Sequence, residues 1–487
     1  MSDATRHVVV VGAGPAGLAA ARAAASVGAR VTLLDAADGL GGQYWLHLPA
    51  ERPARREGLL HHRWATFVEL DAVLRAHPDV TVLPSAQVWS LERLDSGVRL
   101  NVLVGEPDGA AREALALQPD ALVLATGAHD RTLPFPGWEL PGVYSAGAAQ
   151  ALAKGERVAV GRRVVVAGAG PFLLPVASSL LRTGADVVGV HEAGRLGSLA
   201  RGWLDRPLAL AWAAGKAGEL AGYVRDLVRH RVPWRPGEAV VAAHGDGRVE
   251  AVTVARLDER WAPVTGTERQ VEADAVCVSH GFTPRLELAV AAGCDLTPSR
   301  FVVVDETQAT SVPGVWAAGE VTGIGGADAA LAEGTVAGTA AAGGDTGTGA
   351  ARAAGRARTR AHGFAARIEA AHGIRGGWTG WLRDDTVVCR CEETTYGRVR
   401  EVVELTGSHE PRSVKLTSRA GLGPCQARMC GRTLQELLAD PAAAGDGAPG
   451  AAPTMDRRPF VVPVRLGDLT ALPDPPTTIP RTSGDRT

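Results

Sequence analysis

Val8-Val-Val-Val-Gly-Ala-Gly-Pro-Ala-Gly17 decides the fold: four β-branched residues for a buried strand, then a tight turn, then a helix start. Gly12 permits the turn, Gly14 lets backbone approach a pyrophosphate, and Gly17 lets helix and strand pack closely. The N-terminus of such a helix points unpaired N–H groups and a partial positive charge at phosphates. A second strand, Arg30 to Leu34, ends in Asp35, placed to accept hydrogen bonds from a ribose. Three glycines alone are equally compatible with an α/β turn holding no ligand. Strand, helix, strand and acid in register favour a nucleotide.

Three later segments bear on which nucleotide. Gly41-Gly42-Gln43 follows the second strand, and its small residues leave space beside an extended cofactor. Leu122-Val-Leu-Ala125-Thr126-Gly127 is a strand ending in a tight turn. Gly314-Val-Trp-Ala-Ala-Gly319-Glu320 is another, followed by the glycine-rich helix start at Gly323 to Ala329. This order resembles the two-dinucleotide-binding flavoproteins, in which the same segments hold FAD. The resemblance implies that Gly12, Gly14, Gly17, Asp35, Gly41, Gly42, Gln43, Ala125, Thr126, Gly127, Gly319 and Glu320 line the FAD site. Glu320 would lie near ribityl and pyrophosphate, where most relatives carry Asp. The turn itself recognises phosphate and ribose, so a bare adenine nucleotide stays open as its occupant.

A second copy of the turn is altered. Arg163-Val-Val-Val-Ala-Gly168-Ala-Gly170-Pro-Phe-Leu173 again reads as strand, turn and helix, but Leu173 stands where the third glycine belongs. A large side chain there is expected to push helix and strand apart or redirect the turn. The following strand, Asp186 to Val190, ends in His191-Glu192. Gly168, Gly170 and Glu192 are thus candidate contacts for NAD(P) or another adenine nucleotide, with Arg195 and Arg201 available for phosphate or simply solvated. From Arg206 to Arg231 the spacing is helical, with Leu208, Trp212, Leu220, Tyr223, Val224 and Leu227 expected to face the core or, less simply, a docking surface. Residues 238–279 alternate like short antiparallel strands, with Gly245-Asp246-Gly247 as a hairpin turn.

Four cysteines lie towards the C-terminal end: Cys389-Arg-Cys391 and Cys425-Gln-Ala-Arg-Met-Cys430. Thiolates clustered in this way hold a metal centre. Structural zinc commonly repeats a two-residue gap on each knuckle, whereas these gaps are one and four, which favours an iron–sulfur cluster. Predicted helices near Thr394 and from Arg432 to Leu438 would bring their N-termini to the two loops. Arg390, Arg428 and Arg432 are expected to offset the thiolate charge. The arrangement resembles the domain related to bacterioferritin-associated ferredoxin, which implies a 2Fe–2S cluster on Cys389, Cys391, Cys425 and Cys430. The phrase Thr417-Ser-Arg-Ala-Gly-Leu-Gly-Pro-Cys-Gln-Ala-Arg-Met-Cys-Gly431 is similar to that of the alpha or A subunits of opine oxidases, hydrogen cyanide synthase and (hydroxy)proline dehydrogenases. That resemblance spans roughly residues 6–440.

The expected fold is therefore α/β: two Rossmann-like dinucleotide-binding domains, glutathione-reductase-like, with a small helical C-terminal iron–sulfur domain. We expect an FAD domain at 1–145 and 281–343, a second, NAD-like nucleotide domain at 146–280, a linker and helix at 344–385, the 2Fe–2S domain at 386–440, and an extended Pro/Gly-rich tail at 441–487. Six arginines of the linker region (352, 356, 358, 360, 367 and 375) read as a solvated basic face.

With 487 residues the chain has room for roughly three domains. A net charge of −2 gives no reason to propose nucleic acid. No run approaches the ~20 apolar residues of a spanning helix, and the first turn begins too early for a cleaved leader. The expected location is cytoplasmic, with peripheral contact at the inner face of the membrane left open. Cys277 and Cys294 form no Cys-x-x-Cys and read as small buried hydrophobes.

The residues name no catalytic group. His61, His62, His129 and His280 lack metal-ligand spacing and read as structural. By the resemblance, the chain is the FAD- and 2Fe–2S-containing electron-transfer subunit of a heteromeric dehydrogenase or oxidase acting on an amino acid, imino acid or opine. Its partners would be a flavoprotein subunit resembling amino-acid oxidases, a small ferredoxin-like protein and an electron acceptor. The alternatives are a stand-alone NAD(P)H-dependent flavoprotein reductase and a non-catalytic, cluster-bearing scaffold or redox sensor.

Overall fold

The computed structural model describes residues 5–107, 109, 111–204, 214–439, 458, 460–470, 473 and 477. It divides into two compact units, residues 1–129 with 284–365 and 456–487, and residues 130–283 with 366–455.

The chain enters the first unit through β1 (His7–Val11), α1 (Pro15–Ser26), β2 (Arg30–Leu34), α2 (Trp64–Ala76), β3 (Val80–Leu83) and β4 (Ala121–Leu124). The second unit follows with β5 (Val143–Ser145), β6 (Arg163–Gly168), α3 (Leu173–Arg182), β7 (Asp186–Glu192), α4 (Leu196–Leu204), α5 (Ala214–Arg229), β8 (Trp234–Pro236) and β9 (Ala275–Ser279). On its return the chain adds β10 (Val315–Ala317), α6 (Gly326–Ala341) and α7 (Gly349–His372). The cysteine module closes the order with α8 (Tyr396–Thr406), α9 (Pro411–Ser418) and α10 (Gly431–Leu438).

In the first unit the sheet order is β10-β4-β1-β2-β3, with parallel pairing throughout. Its central strand is buried along its whole length, as a parallel strand covered on both faces must be. One face packs against α1, α2 and α6. The other packs against an antiparallel sheet of Ala86–Leu94, Gly97–Val104 and Glu113–Leu117. Glycine sets the distance between α1 and α6: a Cβ on Gly334 would lie 2.0 Å from Ala16 O, and one on Gly338 would lie 2.1 Å from Ala20 O. The two helix backbones therefore touch. Late residues return to the antiparallel sheet, where Phe460 packs on Trp89 at 5.5 Å between centroids and Val461 N donates to Trp89 O at 2.7 Å. Most of the expected tail at 441–487 lies outside the described residues.

The second unit repeats the plan as β8-β7-β6-β9-β5, again parallel. An antiparallel sheet of Glu238–His244, Ala251–Arg256 and Arg269–Glu272 covers one face. The alternating stretch at 238–279 thus contains two kinds of strand, because its last member, β9, joins the parallel sheet. In the same unit the cysteine module has its own small core around Val388, Val399, Val402, Val414 and Leu434. Trp378 and Trp381 are buried with Trp261 and Leu257.

Two expectations need correction. On α5, Leu227 is buried, but Leu220 and Val224 are 49% and 46% exposed, because the inward stripe of the helix is narrower than its apolar spacing. Leu208 and Trp212 lie outside the described residues. The basic face of α7 is not uniformly solvated either. Arg358 donates to Gln308 Oε1 and Glu306 O, both at 2.8 Å, and Arg367 is buried. Among the described residues, no helix is long and apolar enough to cross a membrane.

Candidate functional site

The first nucleotide turn is assembled by close backbone approaches. Gly12 has φ +101°, and a Cβ there would lie 2.3 Å from Ala125 O. A Cβ on Gly17 would lie 1.7 Å from Gly12 O, so the third glycine seats α1 directly on the turn. Gly41 N donates to Ala13 O at 2.9 Å, and a Cβ on Gly42 would lie 2.9 Å from the Gly14 Cα. Gly319, with φ +82°, rests against the Ala16 side chain, 2.8 Å from where its own Cβ would be. Thr126 Oγ1 donates to Arg285 O at 2.8 Å and Gly127 has φ +69°. Gln43 is exposed beside this cluster and Glu320 is half-buried. The segments picked from the sequence therefore meet in space.

Asp35 closes the site. Its Oδ2 accepts from Ala13 N at 2.5 Å and its Oδ1 from Ala37 N at 2.8 Å, yet the residue remains half-exposed. Burial raises its pKa, while those two N–H groups and the charge of Arg285 pull it back. One residue of this site escaped the sequence reading. Glu333 on α6 is 1% exposed and accepts from Gly319 N at 2.7 Å and Thr322 Oγ1 at 2.9 Å. Its other oxygen meets His362 Nε2. The only signal was an acid inside an otherwise small, apolar helical stretch.

The second turn begins alike. Gly168 has φ +137°, and a Cβ there would lie 1.7 Å from Ser279 O. The helix then starts late. Whereas α1 begins one residue after Gly14, α3 begins three residues after Gly170, at the buried Leu173. Glu192, 2% exposed, accepts from Gly170 N and Gly194 N, both at 3.0 Å. His372 Nδ1 stands 3.3 Å from its Oε2, and Trp203 Nε1 donates to His372 Nε2 at 3.1 Å. Nδ1 lies close to the carboxylate without a hydrogen bond to it. A Cβ on Gly202 would lie 2.5 Å from the Ala371 Cα, so α4 and the end of α7 meet over this acid.

The four thiols stand as two pairs. Cys389 and Cys430 are buried and hydrogen-bonded to each other; Cys391 is exposed and Cys425 half-buried, and these two also interact. The bond to Cys430 and backbone N–H groups including that of Gly421 hold Cys389 down at about 6 against burial. Gly421 N reaches its Sγ at 3.3 Å. The Cys389 contact and burial push Cys430 up, and burial pushes Cys391 up. Among the described residues, no three His, Cys, Asp or Glu side chains gather around one point as a single metal ion would need. α10 starts immediately after Cys430, so its N-terminal N–H groups lie beside that thiol. The three arginines take other partners: Arg390 lies 5.2 Å from the Trp138 ring, Arg428 donates to Cys425 O at 3.0 Å, and Arg432 pairs with Glu436 at 3.8 Å.

His61 and His280 hold structure. His61 sets both ring nitrogens against carbonyl oxygens, Glu57 at 2.9 Å and Leu46 at 2.7 Å. Burial, aided by the charge of Arg131, lowers His280 to about 3, and its Nδ1 accepts from Leu133 N at 3.3 Å.

A family model described as pyridine nucleotide-disulphide oxidoreductase matches residues 6–334. The chain belongs to that family. A second model, the BFD-like 2Fe–2S binding domain, matches residues 387–440, a span that holds all four cysteines of the module. The oxidoreductase is 33% identical over 481 residues to the A subunit of opine oxidase from Agrobacterium tumefaciens (strain Ach5), covering 96% of this chain and 92% of that one. It is 31% identical to the HcnB subunit of hydrogen cyanide synthase from Pseudomonas aeruginosa, covering 87% and 90%. The solved structure of L-proline dehydrogenase from P. horikoshii shares the fold, with a TM-score of 0.64 and 19% identity over 96% of this chain and 79% of that one. The two matched domains imply FAD and a 2Fe–2S cluster. The residues present fit both. Side-chain-free backbone surrounds the first turn where a pyrophosphate would approach, and four thiols stand in two pairs.

Proposed function

We propose that this oxidoreductase is the electron-relay subunit of a heteromeric dehydrogenase or oxidase whose flavoprotein partner oxidises an amino acid, an imino acid or an opine. FAD would bind at Gly12, Gly14, Gly17, Asp35, Gly41, Gly42, Gln43, Ala125, Thr126, Gly127, Gly319 and Glu320. The cluster would bind at Cys389, Cys391, Cys425 and Cys430. One observation carries the reading: the ribose acid of the first turn is reachable, whereas that of the second is buried beneath His372 and Trp203. A covered acid in the second turn disfavours NAD(P)H as the reductant, which leaves a partner protein as the electron source. The relatives named as subunits of opine oxidase and hydrogen cyanide synthase support this.

Oxidation of an amine to an imine releases two electrons and two protons, and flavin suits the relay because it accepts a pair and releases electrons singly. The chain's own residues supply placement. Ala13 and Ala37 N–H groups aim the Asp35 carboxylate, and the bare backbone from Gly12 to Gly14 admits phosphate. At the module, Gly421 N–H stabilises charge on the Cys389 sulfur, which favours the reduced cluster. A small ferredoxin-like protein and a terminal acceptor would complete the path. The NAD(P)H-dependent alternative meets the covered Glu192 and the displaced start of α3.

The test is purification of the chain alone and with a partner flavoprotein of the amino-acid-oxidase kind. Alone, it should show flavin and 2Fe–2S spectra and no turnover of proline or opines. With the partner, substrate should reduce the cluster, seen by EPR. Turnover without the partner, or bleaching of the flavin by NADH, would overturn the proposal.

A further inference from the structure

Glu333 is a buried carboxylate in a helix that otherwise presents alanine, glycine, valine and threonine to the core. Burying a charge is costly unless donors surround it, and an apolar residue would fill such a position more cheaply. Here three donors converge. Gly319 N–H and the Thr322 hydroxyl meet one oxygen, and His362 meets the other. Thr322 Oγ1 also lies 2.9 Å from Gly319 O, so its single proton has that carbonyl and the Glu333 carboxylate as alternative acceptors.

The position matters as much as the bonding. Gly334, the next residue, lets α6 touch the backbone of Ala16 in the first turn of α1, and Gly319 packs on the Ala16 side chain. Glu333 therefore stands where α1, α6 and the turn after β10 meet, bonded to the peptide that enters Gly319. From α7 the half-exposed His362 closes the remaining side. With its N–H committed to Glu333, Gly319 keeps its left-handed conformation, and the turn is set before any cofactor arrives. Preorganisation of this kind appears as binding affinity, since little ordering remains to be done on association.

We propose that Glu333, held by Thr322 and His362, is the positioning residue for flavin binding at the first turn. This rests on the flavin reading of that turn. The flavin-stripped full chain is titrated with FAD, flavin fluorescence is followed, and the melting temperature of the flavin-free chain is recorded for each variant. Thr322→Val and His362→Ala should each raise the Kd by about 5- to 30-fold, as loss of a hydrogen bond to a charged group implies. Each variant strips a donor from a buried carboxylate, so the flavin-free melting temperature should fall by about 2–4 °C per kcal/mol lost while the chain stays folded at the titration temperature. Thr322→Ser should restore that temperature and bring the Kd to within about twofold of the parent. Parent-like affinity in both Thr322→Val and His362→Ala, with flavin lost from Gly12→Val, would overturn the role of Glu333 alone. Flavin retained by Gly12→Val would overturn the flavin assignment, and this proposal with it.

Discussion

A Cβ added at Gly12 would run into Ala125 O, and one added at Gly168 would run into the equivalent Ser279 O. The two turns follow one plan: the same left-handed glycine against the same neighbouring strand, and an acid at the end of the next strand whose two oxygens each accept a backbone N–H. They diverge at the third glycine. Gly17 seats α1 on its turn, whereas Leu173 is absorbed into the core and α3 begins later. They diverge again above the acid, where Asp35 stays half-exposed and Glu192 is covered by His372. The lesson is that a nucleotide fold can keep its backbone hydrogen bonds while the acid they hold is covered from solvent. The acid is retained in both copies, half-buried in the first and fully covered in the second.

The difference can be attacked from both sides. If Leu173 has become a core residue, Leu173→Gly should cost about 4 kcal/mol of stability through the cavity it leaves. It should not enable NADH to reduce the flavin; denaturant midpoints and anaerobic stopped-flow absorbance read the two halves. Glu192→Ala strands the N–H groups of Gly170 and Gly194, at a cost of about 3 kcal/mol. Its FAD affinity should match the parent, and a fall in affinity would dissolve the contrast. Asp35→Ala should show the reverse balance, weakening FAD by about 30-fold in a fluorescence titration.

The smallest effect concerns protonation. His280 occupies in the second unit the place that Thr126 holds in the first, and its folded pKa is about 3 against an ordinary 6.5. Between those values the unfolded chain binds the extra proton, so stability falls as pH drops through that window. Lowering the pH from 7 to 5.5 should cost about 1 kcal/mol through this residue. His7, lowered to about 4 chiefly by burial, adds in the same direction. Urea midpoints of parent and His280→Gln at both pH values measure it; an unchanged slope in the variant would assign the loss elsewhere.

Legibility in the sequence followed the range of the constraint. Gly12, Gly14 and Gly17 were readable because a turn restricts φ and side-chain volume within a few residues. The cysteines were readable because cluster ligands must be thiolates in short loops. Glu333, His362, His372 and Trp203 were not, since each meets partners between 11 and 180 positions away and its residue type carries no pattern. On α5 the apolar spacing named a helix correctly but overstated the width of its buried face.

Local chemistry written along the chain thus determined two strand–turn–helix units, an acid after each, and a four-thiol module. Whether either acid can still meet a ligand was decided only in three dimensions. Residues brought from α4 and α7 cover Glu192 and leave Asp35 in reach. Solvent access depends on what packs above a group, and here that covering comes from distant parts of the chain.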